Sequence, residues 1–122
     1  MKAVKIAILI LVILTVSVYA NSLYIGYITD NIAIKVENIT VDDIAKALSE
    51  FEIVFKEFQK AEKYISITVS HDDLTNIEDS FAEIIGAARA GNTVGVITVK
   101  SRLKDSLLHL GRLSAINIDS IL

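Results

Sequence analysis

Ile6-Ala7-Ile8-Leu9-Ile10-Leu11-Val12-Ile13-Leu14-Thr15-Val16-Ser17-Val18 is an apolar run behind two lysines, Lys2 and Lys5, and only Thr15 and Ser17 interrupt it with a polar group. Tyr19, Ala20, Asn21 and Ser22 follow, then a second apolar patch of Leu23, Tyr24, Ile25, Tyr27 and Ile28. Asp30 is the first charge after Lys5. A helix rises about 1.5 Å per residue, so Ile6 to Ile28 reach about 34 Å, enough to cross a hydrocarbon core about 30 Å thick. Tyr19, Tyr24 and Tyr27 lie toward the far end of this stretch, where amphipathic rings favour the membrane–water interface. Residues 1–30 therefore read as a membrane anchor whose lipid contact runs from Ile6 to Ile28.

A second reading of the same residues is a secretory signal peptide over residues 1–20. It has a basic start, an apolar core and Val18-Tyr19-Ala20 ahead of Asn21. Apolar character resumes at Leu23 instead of giving way to a polar mature terminus, which favours the anchor. Both readings place residues 31–122 outside the cell, because Lys2 and Lys5 stand directly before the apolar run.

The 122-residue chain has room for one small domain beyond the anchor. It contains no cysteine, which excludes disulfides, thiolate metal sites and a cysteine nucleophile. It contains no proline, so nothing after the anchor forbids long helices. Charge is uneven: Val36 to Glu83 holds twelve acidic residues against four lysines, and Ile84 onward holds five basic against two acidic. That division suits an acidic helix pair beside a more basic helix. Arg89, Lys100, Arg102, Lys104 and Arg112 are too few, and too poor in interleaved aromatics, for a nucleic-acid surface.

Three helices are expected in residues 31–122. The first opens at Thr40, with a hydroxyl cap and Asp43 in the first turn, and carries Ile44, Leu48, Phe51, Phe55, Phe58 and Ile65. Its apolar stripe is broken at Glu62. The second starts near Ser70 to Asp73, carries Leu74, Ile77, Phe81, Ile84, Ile85 and Ala88, and stops at Gly91-Asn92. The third runs from about Thr93 to Leu113. Its start, Thr93 to Val99, is rich in β-branched residues, but a lone strand has no partner for its backbone groups. Leu103, Leu107, Leu110 and Leu113 then follow at helical spacing. Ile116, Ile118, Ile121 and Leu122 are expected to turn back onto the bundle. The fold class is thus all-α, an N-terminal transmembrane helix followed by a small antiparallel three-helix bundle. Phe51, Phe55 and Phe58 are expected to face the leucines of the last helix.

His71-Asp72-Asp73-Leu74-Thr75-Asn76-Ile77-Glu78-Asp79-Ser80-Phe81-Ala82 is the most distinctive stretch. With the lysine-flanked anchor, Lys60-Ala61-Glu62, Leu107-Leu108-His109-Leu110 and Ile118-Asp119-Ser120-Ile121-Leu122, it resembles a family of bacterial single-pass membrane proteins, domain of unknown function 4363. That family is common in clostridia and related spore-formers. The resemblance implies a helical envelope protein and carries no activity.

His71, Asp72, Asp73, Glu78 and His109 are the residues whose types suit a divalent metal. Their spacing argues for capping instead. Asp72 and Asp73 point about 100° apart on a helix, and no His-x-x-x-His or Glu-x-x-His pair exists. Ser70 to Asp73 are expected to cap and turn into the helix, with their acids complementing its dipole. His109 is expected to be partly buried and hydrogen-bonded. No Gly-x-Ser-x-Gly motif is present, and five glycines make no phosphate loop. The expectation is a protein without catalytic residues, metal or cofactor: a non-catalytic interaction or regulatory module that assembles with itself or with an envelope partner. The alternative is an extracytoplasmic metal- or pH-responsive sensor built on His71, Asp72, Asp73 and His109.

Overall fold

The computed structural model describes residues 1–65 and 69–121, with side chains described as far as residue 112. Four helices account for nearly all of it: α1 (Lys2–Asn38), α2 (Ile44–Ile65), α3 (His71–Arg89) and α4 (Thr93–Ile121). No strand occurs among the described residues. The β-branched tract that opens α4 is helical. Asn92 initiates it by accepting the Gly95 N–H on its side-chain oxygen at 3.0 Å, and Val96 and Val99 bury against the core.

α1 is a single helix about 55 Å long, and its two halves have different surroundings. Through Ala20 every side chain is exposed, and the apolar stretch long enough to cross a membrane has none of its surface buried in the bundle. Thr15 donates its hydroxyl to the Leu11 carbonyl at 2.8 Å, so that polar group within the apolar run is satisfied by its own helix. Beyond Ser22 the picture changes. Ile25, Thr29, Ile32, Val36 and, past the helix end, Ile39 are buried at alternating steps of four and three. The helix passes through Asp30 unbroken and supplies a fourth wall to the bundle.

Neighbours around the bundle are α1–α2, α2–α3, α3–α4 and α4–α1, an antiparallel ring in which α2 and α4 sit diagonally. The core joins Phe51, Phe58 and Phe81 with Ile32, Ile77, Ile84, Leu103, Leu107 and Leu110, all nearly inaccessible to solvent. The aromatic contacts go to α3. Phe55 stacks on Phe81 with ring centres 5.0 Å apart, and Phe58 meets the same ring at 5.7 Å. The leucine stripe was the expected partner of these phenylalanines; α4 lies diagonally across the shared core from α2, and the ring-to-ring contacts go to Phe81 of α3.

Helix ends explain the turns. Asp43, not Thr40, starts α2, accepting the Lys46 N–H at 3.3 Å after a bend over residues 41–43. Ser70 sits at the α3 cap position, but its hydroxyl makes no capping bond; its carbonyl accepts from Leu74 while Asp72 and Asp73 occupy the first turn. Gly91, at φ 70°, ends α3: its N–H reaches the Ala88 carbonyl, and the Asn92 N–H reaches Ala87. This left-handed closure is strained for any residue with a Cβ. The chain does not turn back after Leu113. Its backbone continues α4 to Ile121, ten residues and about 15 Å past Gly111, in the direction of the N-terminal half of α1. Leu122 and the side chains of Leu113, Ile116, Ile118 and Ile121 lie outside the described set.

Candidate functional site

Polar side chains concentrate along the four seams between helices, and each seam carries one ion pair among the described residues. Lys35 meets Glu57 at 2.6 Å across α1–α2, and Arg89 meets Glu52 at 3.0 Å across α2–α3. Arg102 pairs with Glu83 across α3–α4, and Lys104 meets Glu37 at 2.8 Å across α4–α1. Partly exposed pairs like these stabilise by at most about 1 kcal/mol each. Their placement favours one order of helices around the ring, since exchanging neighbours would bring like charges together. The Lys104 ammonium, by hydrogen bond and by charge, holds the Glu37 carboxyl below its ordinary range, with Lys100 adding to the effect. Lys100 also donates to the Ile39 carbonyl at 2.6 Å, placing a cation at the C-terminal end of α1.

One seam departs from this charge matching. Glu62 on α2 faces Glu78 on α3, and both are only partly exposed. Burial, followed by the hydrogen bond and the negative charge of Glu78, pushes the Glu62 carboxyl up to about 7. A protonated Glu62 donates to Glu78, so the pair shares one proton near neutral pH. The signal in the sequence was the break in the α2 apolar stripe at Glu62: a charged residue at a core-facing register position is expensive unless its charge is compensated or lost.

The five residues of metal-binding type divide between separate places. Asp73 and His109 line one narrow cleft across α3–α4, of about 60 Å³, together with Asn76, Ser106 and Leu110. His71 and Asp72 are exposed and do not line it, and Glu78 is engaged with Glu62. His109 itself is exposed rather than partly buried, because its position faces outward from the Leu107–Leu110 stripe. Among the described residues, no group of three or more His, Asp or Glu side chains is placed to hold a metal ion. The larger hollows are open grooves. One lies between α1 and α2 beside the Lys35–Glu57 pair, and another lies where Gly26 and Asp30 face Gly111 and Arg112.

At that second groove α1 and α4 approach closely. A Cβ on Gly111 would stand 2.9 Å from the Thr29 Oγ1, 3.6 Å from an Asp30 carboxylate oxygen and 3.9 Å from the Gly26 Cα. Thr29 is buried, and its hydroxyl donates to the Ile25 carbonyl at 2.8 Å. This contact ties the last helix to the helix that bears the long apolar run. No known protein family, curated protein or solved structure matches the chain.

Proposed function

We propose that the chain is a membrane-anchored interaction or regulatory module of a bacterial envelope, with α1 as a single uncleaved span and the bundle on the outer side. The continuity of α1 carries this reading. One helix presents about 27 Å of exposed apolar surface over residues 3–20 and then becomes a core member of the bundle. A domain built this way is held at a fixed height and orientation above the bilayer, which suits contact with a second copy or with another envelope protein. The open groove between α1 and α2 suits contact with a partner.

The orientation is testable because the chain has no cysteine. Ser49, exposed on α2, and Ala3, at the start of α1, are changed singly to Cys in the full chain. Ser49→Cys should react with a membrane-impermeant maleimide in intact cells, and Ala3→Cys only after lysis. The opposite pattern overturns the placement.

A proton-responsive reading has one observation in its favour, and it lies away from the histidines. The Glu62–Glu78 pair changes its proton count near neutral pH on a seam between two helices.

A further inference from the structure

We infer that the last turns of α4 reach the outer surface of the membrane beside Tyr19, where lipid covers the apolar positions between Ile116 and Ile121. This inference rests on the anchoring of α1 proposed above and adds a second helix to the lipid contact.

The register between α1 and α4 sets the height. The two helices are antiparallel neighbours: Lys100 donates to the Ile39 carbonyl, Lys104 meets Glu37, and Gly111 lies against Thr29. Each residue gained along α4 is thus matched by one lost along α1. Continued at the same rise, this register brings Ile118 level with Ser22 and Ile121 level with Tyr19. Ile25 is buried in the core, whereas every residue through Ala20 is exposed, so the lipid-facing part of α1 ends near Ala20. The end of α4 stands at that height. Exposure along α1 agrees. Asn21 and Ser22 are half-buried, and Val18 is 39% exposed against 60% for Val16, so the face that carries Ile25 and Thr29 stays partly covered down to this level.

The other helices stop short of it. Asp73 and Asn76 line one cleft with His109 and Ser106, so α3, which opens at His71, begins about level with Gly111. α2 closes at Ile65, which the Lys35–Glu57 pair puts about level with Tyr27. Past Gly111, α1 is the one helix beside α4 among the described residues. Yet the sequence there is apolar at Leu113, Ala115, Ile116, Ile118 and Ile121. At about 100° per residue, Ala115 and Ile118 repeat the Gly111 register toward α1, and Leu113 and Ile116 fall on the opposite side of the helix. One companion helix cannot cover both sides. Ile116 is level with Tyr24, about 6 Å above Ala20 and within the headgroup layer, so lipid is the occupant that the height supplies. Asp119, the one charged side chain between Leu113 and Ile121, limits the depth. A carboxylate is costly in hydrocarbon, so this end lies in the interface and does not extend the span.

The chain lacks tryptophan, so single substitutions give sole reporters. Full-length Ile121→Trp, Ile118→Trp, Val94→Trp and Val12→Trp are placed in vesicles of equal parts phosphatidylcholine and phosphatidylglycerol, with and without bromine on the upper acyl chain. Ile121→Trp and Ile118→Trp should show blue-shifted emission and a several-fold larger loss to brominated lipid than Val94→Trp, at the far end of the bundle, which should respond to aqueous iodide instead. Val12→Trp reports the anchor separately. If Val12→Trp is quenched by brominated lipid while both α4 reporters are quenched only by iodide, the anchor stands and the inference is wrong. If both α4 reporters are shielded from both quenchers, protein covers them, for example a second copy, and the inference is again wrong. If Val12→Trp is itself open to iodide, the anchoring has failed and the inference fails with it.

Discussion

Gly111→Ala probes the contact that joins α4 to the anchor-bearing helix. Replacing a mid-helix glycine by alanine ordinarily stabilises by about 0.5–1 kcal/mol. Here the new Cβ would stand 2.9 Å from the Thr29 Oγ1, closer than unstrained atoms approach. Thr29 gives way with difficulty, because its β-branched side chain is stiff and its hydroxyl is committed to the Ile25 carbonyl at 2.8 Å. Overpacking of this kind costs about 1–3 kcal/mol, so the net change should lie between roughly zero and 2.5 kcal/mol of destabilisation. Thr29→Ala removes the obstacle. It loses a little buried surface and gains helix propensity, leaving it within about 1 kcal/mol of wild type. In that background Gly111→Ala should recover its full propensity gain, giving a coupling of about 1–3 kcal/mol. Urea unfolding of the bundle, followed by far-ultraviolet circular dichroism of the full chain in micelles, supplies the four stabilities. If Gly111→Ala stabilises equally with and without Thr29, α1 and α4 do not meet at this point, and the rigid link between anchor and bundle is refuted.

Three further outcomes follow from the core and the seams. Phe81→Ala, removing a fully buried ring that contacts both Phe55 and Phe58, should cost about 3–5 kcal/mol, whereas Phe55→Ala, at a partly exposed site, should cost less in the same melts. Glu62 has its carboxyl raised from 4.5 to about 7 in the folded chain, so the folded state binds the extra proton and stability falls as pH rises through that window. Glu62→Gln should abolish that fall and, after screening at a partly exposed site, stabilise the bundle at pH 8 by about 1 kcal/mol; a flat wild-type pH profile between pH 5 and 8 would count against the shared proton. Asp72→Asn with Asp73→Asn removes only the charge–dipole term, about 0.3–1 kcal/mol per charge, and a larger loss in thermal melts would mean that these carboxylates do more than complement α3.

The helical periodicity carried most of the fold. Ile77, Phe81, Ile84 and Ala88 on α3, and Leu103, Leu107 and Leu110 on α4, are buried as their spacing requires, and Gly91 closes α3 as a left-handed residue must. The fourth wall was harder to read. Ile25, Thr29, Ile32 and Val36 already step by four and three, but Leu23, Tyr24, Tyr27 and Ile34 between them are equally apolar, so no polar face marks the stripe. Apolar residues selected for lipid and those selected for the core look alike in sequence. Thr40 competed with Asp43 for the cap of α2, and a difference of three residues is decided by how the chain bends out of α1. The candidate site was legible only at Glu62, as a flaw in a stripe. Its partner Glu78 stands 16 positions away and the four ion pairs join residues between 19 and 67 positions apart, and a single sequence holds no register between helices.

The central claim is that one helix is both membrane span and bundle wall, and so stays in the mature protein. Intact-mass measurement of the protein extracted from carbonate-washed membranes tests it directly. The account predicts a chain in the membrane fraction whose mass still includes residues 1–20. A shorter chain beginning at Asn21 and released into the soluble fraction would contradict it.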